Sequence, residues 1–252
     1  MNKLFCLGVV FLLIGFVGIS QSRAYRLQVA APTIEQEATS IWRTINDIEF
    51  LENYGYSISL PDDPLISALI EKSKAGGFGN EDFPTIYTLV ERIYNPKNYE
   101  AALQKVNTQT TLLHNLITEL DNVRKDWDWN FNMFEQYQVT FTLYGTGGSY
   151  DADEGRITML TNNAGAFMGY ENPANTITHE IVHIGIEHLI QKYQVSHSSK
   201  ERAVDLFVLV MFGQKLTEYN VQNMGPPEID ERIAQKSDLS QLPDILQHLP
   251  KD

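Results

Sequence analysis

The sequence predicts a mostly helical α+β fold on three observations. Apolar residues recur at helical spacing over most of residues 33–130. Two short β-rich runs follow, near residues 139 and 156, and read as a small antiparallel unit. Two further helical stretches then begin near residues 173 and 200, the first of them carrying His179 and Glu180. At 252 residues, with 43% hydrophobic and 20% charged content, the chain has ample length and ordinary composition for a buried core.

Residues 1–24 have the composition of an export segment. Lys3 supplies a positive charge, Leu4 to Ile19 is uncharged and apolar, and Ser22-Arg23-Ala24 places small residues where signal cleavage favours them. The apolar run of about sixteen residues is short for a membrane span of roughly 20. It therefore reads as a signal peptide, with an uncleaved membrane anchor as the alternative. The expected location is extracytoplasmic, periplasmic or secreted, with no membrane contact unless the segment is retained. Cys6 is the only cysteine, so cleavage would leave neither disulfides nor thiolate metal ligands. A net charge of −13 repels phosphate backbones, which argues against a nucleic-acid partner.

Residues 25–135 read as a helical N-terminal region. Ile34, Ala38, Ile41, Trp42, Ile45, Ile48 and Leu51 recur at helical spacing, with Thr33 as N-cap and Gly55 as terminator. Tyr56 to Leu60 alternates briefly and suits a short strand or an extended link. Pro64 and Pro84 stand at helix starts, on either side of a glycine-rich loop at 75–80. Pro96 is expected to open the longest helix, continuing through Val123. Trp127 and Trp129 near its end read as packing anchors.

Residues 136–252 form the second region. Val139 to Tyr144 and Arg156 to Leu160 are the strand candidates, and Gly145 to Ser149 reads as a turn rather than a phosphate loop, since no Gly-Lys-Ser/Thr follows. Asn172-Pro173 is a helix entry, N-cap then first turn, for a helix reaching about Tyr193. A polar break at 195–199 precedes a helix from about Lys200 to Leu216, capped by Ser198 or Ser199. Its run Leu206–Phe212 carries no charge, so it belongs in the interior, where Glu201 and Asp205 are costly unless paired or metal-bound. The proline-rich tail is expected to wrap the surface as short helices.

The chemistry concentrates in Thr178-His179-Glu180-Ile181-Val182-His183, an H-E-x-x-H. Residues four apart share a helix face, so His179 and His183 can direct imidazole nitrogens at one metal ion. Glu180 lies about 100° round the helix, suited to a general base that deprotonates an attacking water. A third ligand is needed. Glu187 lies two turns beyond His179, roughly 12 Å along the axis, too far to join both histidines. The extended motif would place Gly at 186 and His at 189, where this chain has Ile186 and Leu189. Glu201, at the start of the following helix, is the better candidate, the alternative being an acid favoured by the helix dipole. Asp205 one turn later can accept the free N–H of a ligand histidine, unless it pairs with Arg202 or Arg124.

His179, Glu180, His183, Glu201 and Asp205 together resemble the gluzincins, the thermolysin-like and aminopeptidase-like zinc peptidases. The likeness covers about residues 137–212, and the gap between His183 and Glu201 is slightly shorter than those families usually have. The resemblance implies a zincin-like catalytic region with Zn2+ on His179, His183 and Glu201, Glu180 as base and Asp205 as outer support. It implies an edge strand that binds the backbone of a peptide or protein substrate. It also implies a Tyr or His that stabilises the oxyanion, for which Tyr193, His197, His188, Tyr150 and Tyr219 are candidates; Tyr193 leads by its place after the second histidine. The expected function is an exported zinc metallopeptidase. The alternatives are an inactive zincin-like scaffold and a metal-dependent amidase acting on cell-wall or other non-protein amides.

Overall fold

A computed structural model describes residues 25–251; the export segment expected at 1–24 lies outside them. Strands β1 (Arg26–Val29), β2 (Gln136–Thr142), β3 (Gly148–Asp151) and β4 (Arg156–Leu160) form one sheet in the order β1-β2-β4-β3. The fold is the mostly helical α+β class expected, but the pairing differs. β1 runs parallel to β2 and β2 parallel to β4, and only β3 is antiparallel, paired with β4. The sheet is thus mixed, because β4 inserts between β2 and β3. Along β2, Tyr137, Val139 and Phe141 enter the core, while Gln136 and Gln138 remain half-exposed.

Helix α1 (Ile34–Asn46) begins at Thr33, whose side chain and that of Gln36 close a reciprocal capping box. The single helix expected to Tyr54 is broken at Asp47, after which α2 (Ile48–Asn53) continues. α3 (Pro64–Lys74) and α4 (Phe83–Ile93) both start at or beside a proline, as expected. The long helix expected from Pro96 is in fact a short 3₁₀ turn followed by α5 (Glu100–Thr108) and α6 (Thr110–Val123). The longest described helix is α7 (Pro173–Tyr193), capped by Asn172 through the Ala174 N–H. It ends at Gln194, in the left-handed region with φ 54°. α8 (His197–Phe212) starts earlier than expected, because Ser196 is its cap. α9 (Leu242–Gln247) follows near the C-terminus.

The buried apolar residues fall into two clusters. α1, α3 and α4 enclose a satellite cluster around Ile41, Ile45, Ile86 and Leu89. The main core takes in α5 to α8 and the sheet, including residues from β1 onward. It also takes Leu242, Leu246 and Leu249 from the tail, which is therefore part of the interior rather than a surface wrapping. Trp127 and Trp129 stack 4.8 Å apart, and Trp127 meets Phe207 edge-on, the anchoring role expected. Phe131 packs so closely on Gly185 of α7 that any Cβ there would overlap the ring. Among the described residues no helix is long and apolar enough to cross a membrane.

The satellite is fastened to the main body by polar contacts. Glu37 of α1, 1% exposed, accepts hydrogen bonds from the Tyr99 and Thr142 hydroxyls and from the Leu143 N–H. Burial pushes its carboxyl above the usual range, against the pull of these donors. Ser59 pairs with Gly145 through two backbone hydrogen bonds of 2.8 Å, so the extended link after α2 reaches the loop beyond β2. Between satellite and body lies an open cleft of about 1450 Å³.

Candidate metal centre

α7 forms the floor of this cleft and α8 its neighbour. Both are apolar over most of their circumference, so His179, Glu180, His183, Glu201 and Asp205 are all buried. Groups of this polarity in the interior require partners. They find them chiefly in each other.

His179 Nε2 lies 2.9 Å from His183 Nε2 and 3.4 Å from Glu201 Oε2, and His183 Nε2 lies 3.3 Å from the same oxygen. A tetrahedral ion bonded at about 2.1 Å sets its ligand atoms about 3.4 Å apart, so this triangle fits one face of such a coordination sphere. The donor set, two imidazoles and a carboxylate, suits a first-row divalent ion. The group can hold a metal ion. Glu201, the third ligand expected from the sequence, is brought to the two histidines because the turn after Gln194 sets the start of α8 beside α7.

Behind His179 the support is hydrogen-bonded. Its Nδ1 lies 2.8 Å from the Tyr219 hydroxyl oxygen and 3.1 Å from Asp205 Oδ1. Tyr219 O–H donates to that same Asp205 oxygen at 2.7 Å, and the Gln222 N–H donates to the other at 2.7 Å. Nδ1 is thus an N–H nitrogen, and Nε2 is the one that gives up its proton to offer a lone pair to a metal. The two arginines weighed as alternative partners of Asp205 are engaged elsewhere, Arg202 with Asp230 and Arg124 with Asp121. Burial works against a charged His179, but the Asp205 and Glu201 carboxylates prevail and lift it to about 10. His183 goes the other way: burial holds it down at about 4, and His179 adds to the effect. Glu201 is kept well below the usual carboxylate range, since the two histidines outweigh its burial.

His183 has no such hydrogen bond, and its buried Nδ1 has no partner among the described residues. The ring is instead stacked on Tyr150 of β3, 4.8 Å between centroids and 10° between planes. Tyr150 in turn donates its hydroxyl to Glu187 at 2.6 Å, and Lys200 donates to the same hydroxyl at 3.2 Å. Glu187 therefore braces the site from outside the triangle, where the helix rise had placed it.

Glu180 faces β3. Gly148 touches its carboxylate so closely that a Cβ would overlap Oε1, and Thr176 Cγ2 stands 2.8 Å from that position. The glycine read as turn chemistry is needed for this approach. Burial raises Glu180 to about 7, with Glu201 adding to the rise and His179 opposing it. An acid poised there can take and return a proton near neutrality.

The oxyanion candidates separate by position. Tyr193 ends α7, ten residues past His183 and roughly 15 Å further along the axis; it lies outside the cleft lining and packs with Lys192 over its ring. His188 also lies outside the lining, and Tyr219 is buried behind His179. Tyr150 and His197 line the cleft. Tyr56, which no sequence spacing singled out, joins them there, with its hydroxyl 2.8 Å from His197 Nε2. Compared with protein-family models, curated proteins and solved structures, the chain matches none of them.

Proposed function

We propose that the protein is a zinc-dependent hydrolase, most specifically a metallopeptidase of gluzincin type that acts on peptide or protein substrates outside the cytoplasm. One observation carries this reading: a buried His179–His183–Glu201 triangle of metal-ligand dimensions opens on a large cleft beside Glu180. Zinc held by these residues supplies a Lewis acid that polarises a carbonyl and acidifies water. Asp205 and Tyr219 fix the tautomer of His179, and Tyr150 fixes the plane of His183. Glu180 accepts the proton of the attacking water and returns it to the leaving nitrogen; a structural metal would require no such base. The open cleft, flanked by the edge strand β3, has room for an extended chain.

The test is a peptide-library digest comparing the wild type with Glu180→Gln. The expected result is hydrolysis by the wild type only, with equal zinc in both proteins and a loss of at least about 10²-fold in kcat. A zinc-loaded wild type that cleaves no peptide, and whose only effect is binding, would favour the scaffold reading. Cleavage confined to non-peptide amides would favour the amidase.

A further inference from the structure

We propose that Tyr56, held by His197, donates the hydrogen bond that stabilises the oxyanion formed in this cleft, so that the satellite completes the active site. The proposal rests on the hydrolase reading above. A carbonyl under attack gathers negative charge on its oxygen, and a donor lowers the barrier most when it is oriented beforehand on the cleft side. Tyr219 and Tyr150 have already committed their hydroxyls, to Asp205 and Glu187.

His197 is the first residue of α8, one turn ahead of Glu201, so its ring shares that ligand's helix face. Its Nδ1 lies 3.8 Å from Glu201 Oε1, and its Nε2 lies 2.8 Å from the Tyr56 hydroxyl. Phe50 and Tyr54 of the satellite meet the imidazole edge-on at 5.2 and 4.9 Å, with interplanar angles of 74° and 79°. These contacts fix the ring plane. The direction of this contact follows the imidazole tautomer; in the form that carries its proton on Nε2, His197 donates to the phenol oxygen and the Tyr56 O–H is left to turn into the cleft that both residues line. Burial, reinforced by the Glu201 and Glu180 charges, pushes the Tyr56 phenol up to about 12, so it keeps its proton and acts as a donor.

The step balances without proton loss from Tyr56. The water oxygen bonds to the carbonyl carbon, its proton passes to Glu180, and the C=O π pair moves onto oxygen, where Tyr56 donates. On collapse the C=O re-forms, the C–N bond breaks, and Glu180 gives its proton to the leaving nitrogen. Tyr56 is the catalytic residue here and His197 a positioning residue.

The experiment compares Tyr56→Phe, His197→Gln and the double variant in the full zinc-loaded chain. Tyr56→Phe is expected to lower kcat about 10²-fold with KM and zinc content unchanged. His197→Gln is expected to lower kcat about 10-fold, and to add little in the Tyr56→Phe background. A tetrahedral phosphinate peptide should bind Tyr56→Phe about 10²-fold more weakly, while a simple thiol that needs only the zinc binds both proteins equally. Unchanged kcat and phosphinate affinity in Tyr56→Phe would overturn the proposal and leave the hydrolase reading standing. A zinc-loaded wild type that hydrolyses nothing would overturn both.

Discussion

His179 and His183 present the same nitrogen from adjacent turns of α7, but their outer nitrogens meet opposite surroundings. Behind His179 stand a fully buried carboxylate, a tyrosine hydroxyl and the Gln222 N–H, each bonded to the next. Behind His183 there is no hydrogen-bond partner among the described residues, and the ring is held by the face of Tyr150. The first arrangement fixes both orientation and tautomer; the second fixes orientation alone. The same contrast appears in their proton affinities, about 10 against about 4. One ligand is made basic by its neighbours, and the other is kept neutral by burial.

Removing each support separately should expose the difference. Asp205→Ala is expected to have the largest effect, weakening metal binding on the order of 10²-fold. It also takes the acceptor from the Gln222 N–H and leaves the Tyr219 hydroxyl with His179 Nδ1 alone, each lost hydrogen bond costing about 1–3 kcal/mol. Tyr150→Ala should weaken metal binding about 10-fold by freeing the His183 ring, whereas Tyr150→Phe keeps the stack and should stay within a few-fold. Metal titration by competition with a chromophoric chelator measures all three. Equal losses in Tyr150→Phe and Tyr150→Ala would show that the hydroxyl network, not the stack, holds His183.

The smallest effect is a pH dependence, and its sign follows from the same contrast. Protons compete with the metal for the imidazole lone pairs, so affinity falls as pH falls. Of the two histidines only His179 is charged between about 10 and about 4, so about one imidazole proton should leave per metal bound, counted in Glu180→Gln because the Glu180 carboxyl at about 7 can add its own. Below about 4 His183 is protonated as well, and the slope should approach two. Calorimetry in buffers of different ionisation enthalpy counts these protons directly. Two protons released at neutral pH by the Glu180→Gln protein would contradict the assignment of a neutral His183.

Local chemistry made the residues that could hold a metal legible in the sequence. Asn172-Pro173 sets the start of α7, the four-residue spacing sets the face, and the charge-free run after Glu201 buries α8. What remained hidden depends on distant segments. β1 pairs in parallel with a strand more than a hundred residues away, and nothing local in Arg26–Val29 encodes that partner. The break at Gln109 carries neither glycine nor proline to mark it. Tyr193 was favoured by its distance along the chain, but α7 continues as helix through that position and carries it away from the cleft. Tyr219 and Tyr56 reach the site from irregular stretches where spacing has no geometric meaning. The cap of α8 is Ser196 rather than Ser198 or Ser199, and that shift places His197 on the first turn, lining the cleft.

The most direct test of the central claim is metal stoichiometry by elemental analysis, on the purified full-length protein and on Glu201→Ala. The wild type is expected to carry about one zinc per chain, and Glu201→Ala to lose it to a mild chelator that the wild type resists. A wild type without metal, or a Glu201→Ala protein that keeps zinc as tightly, would contradict the His179–His183–Glu201 centre.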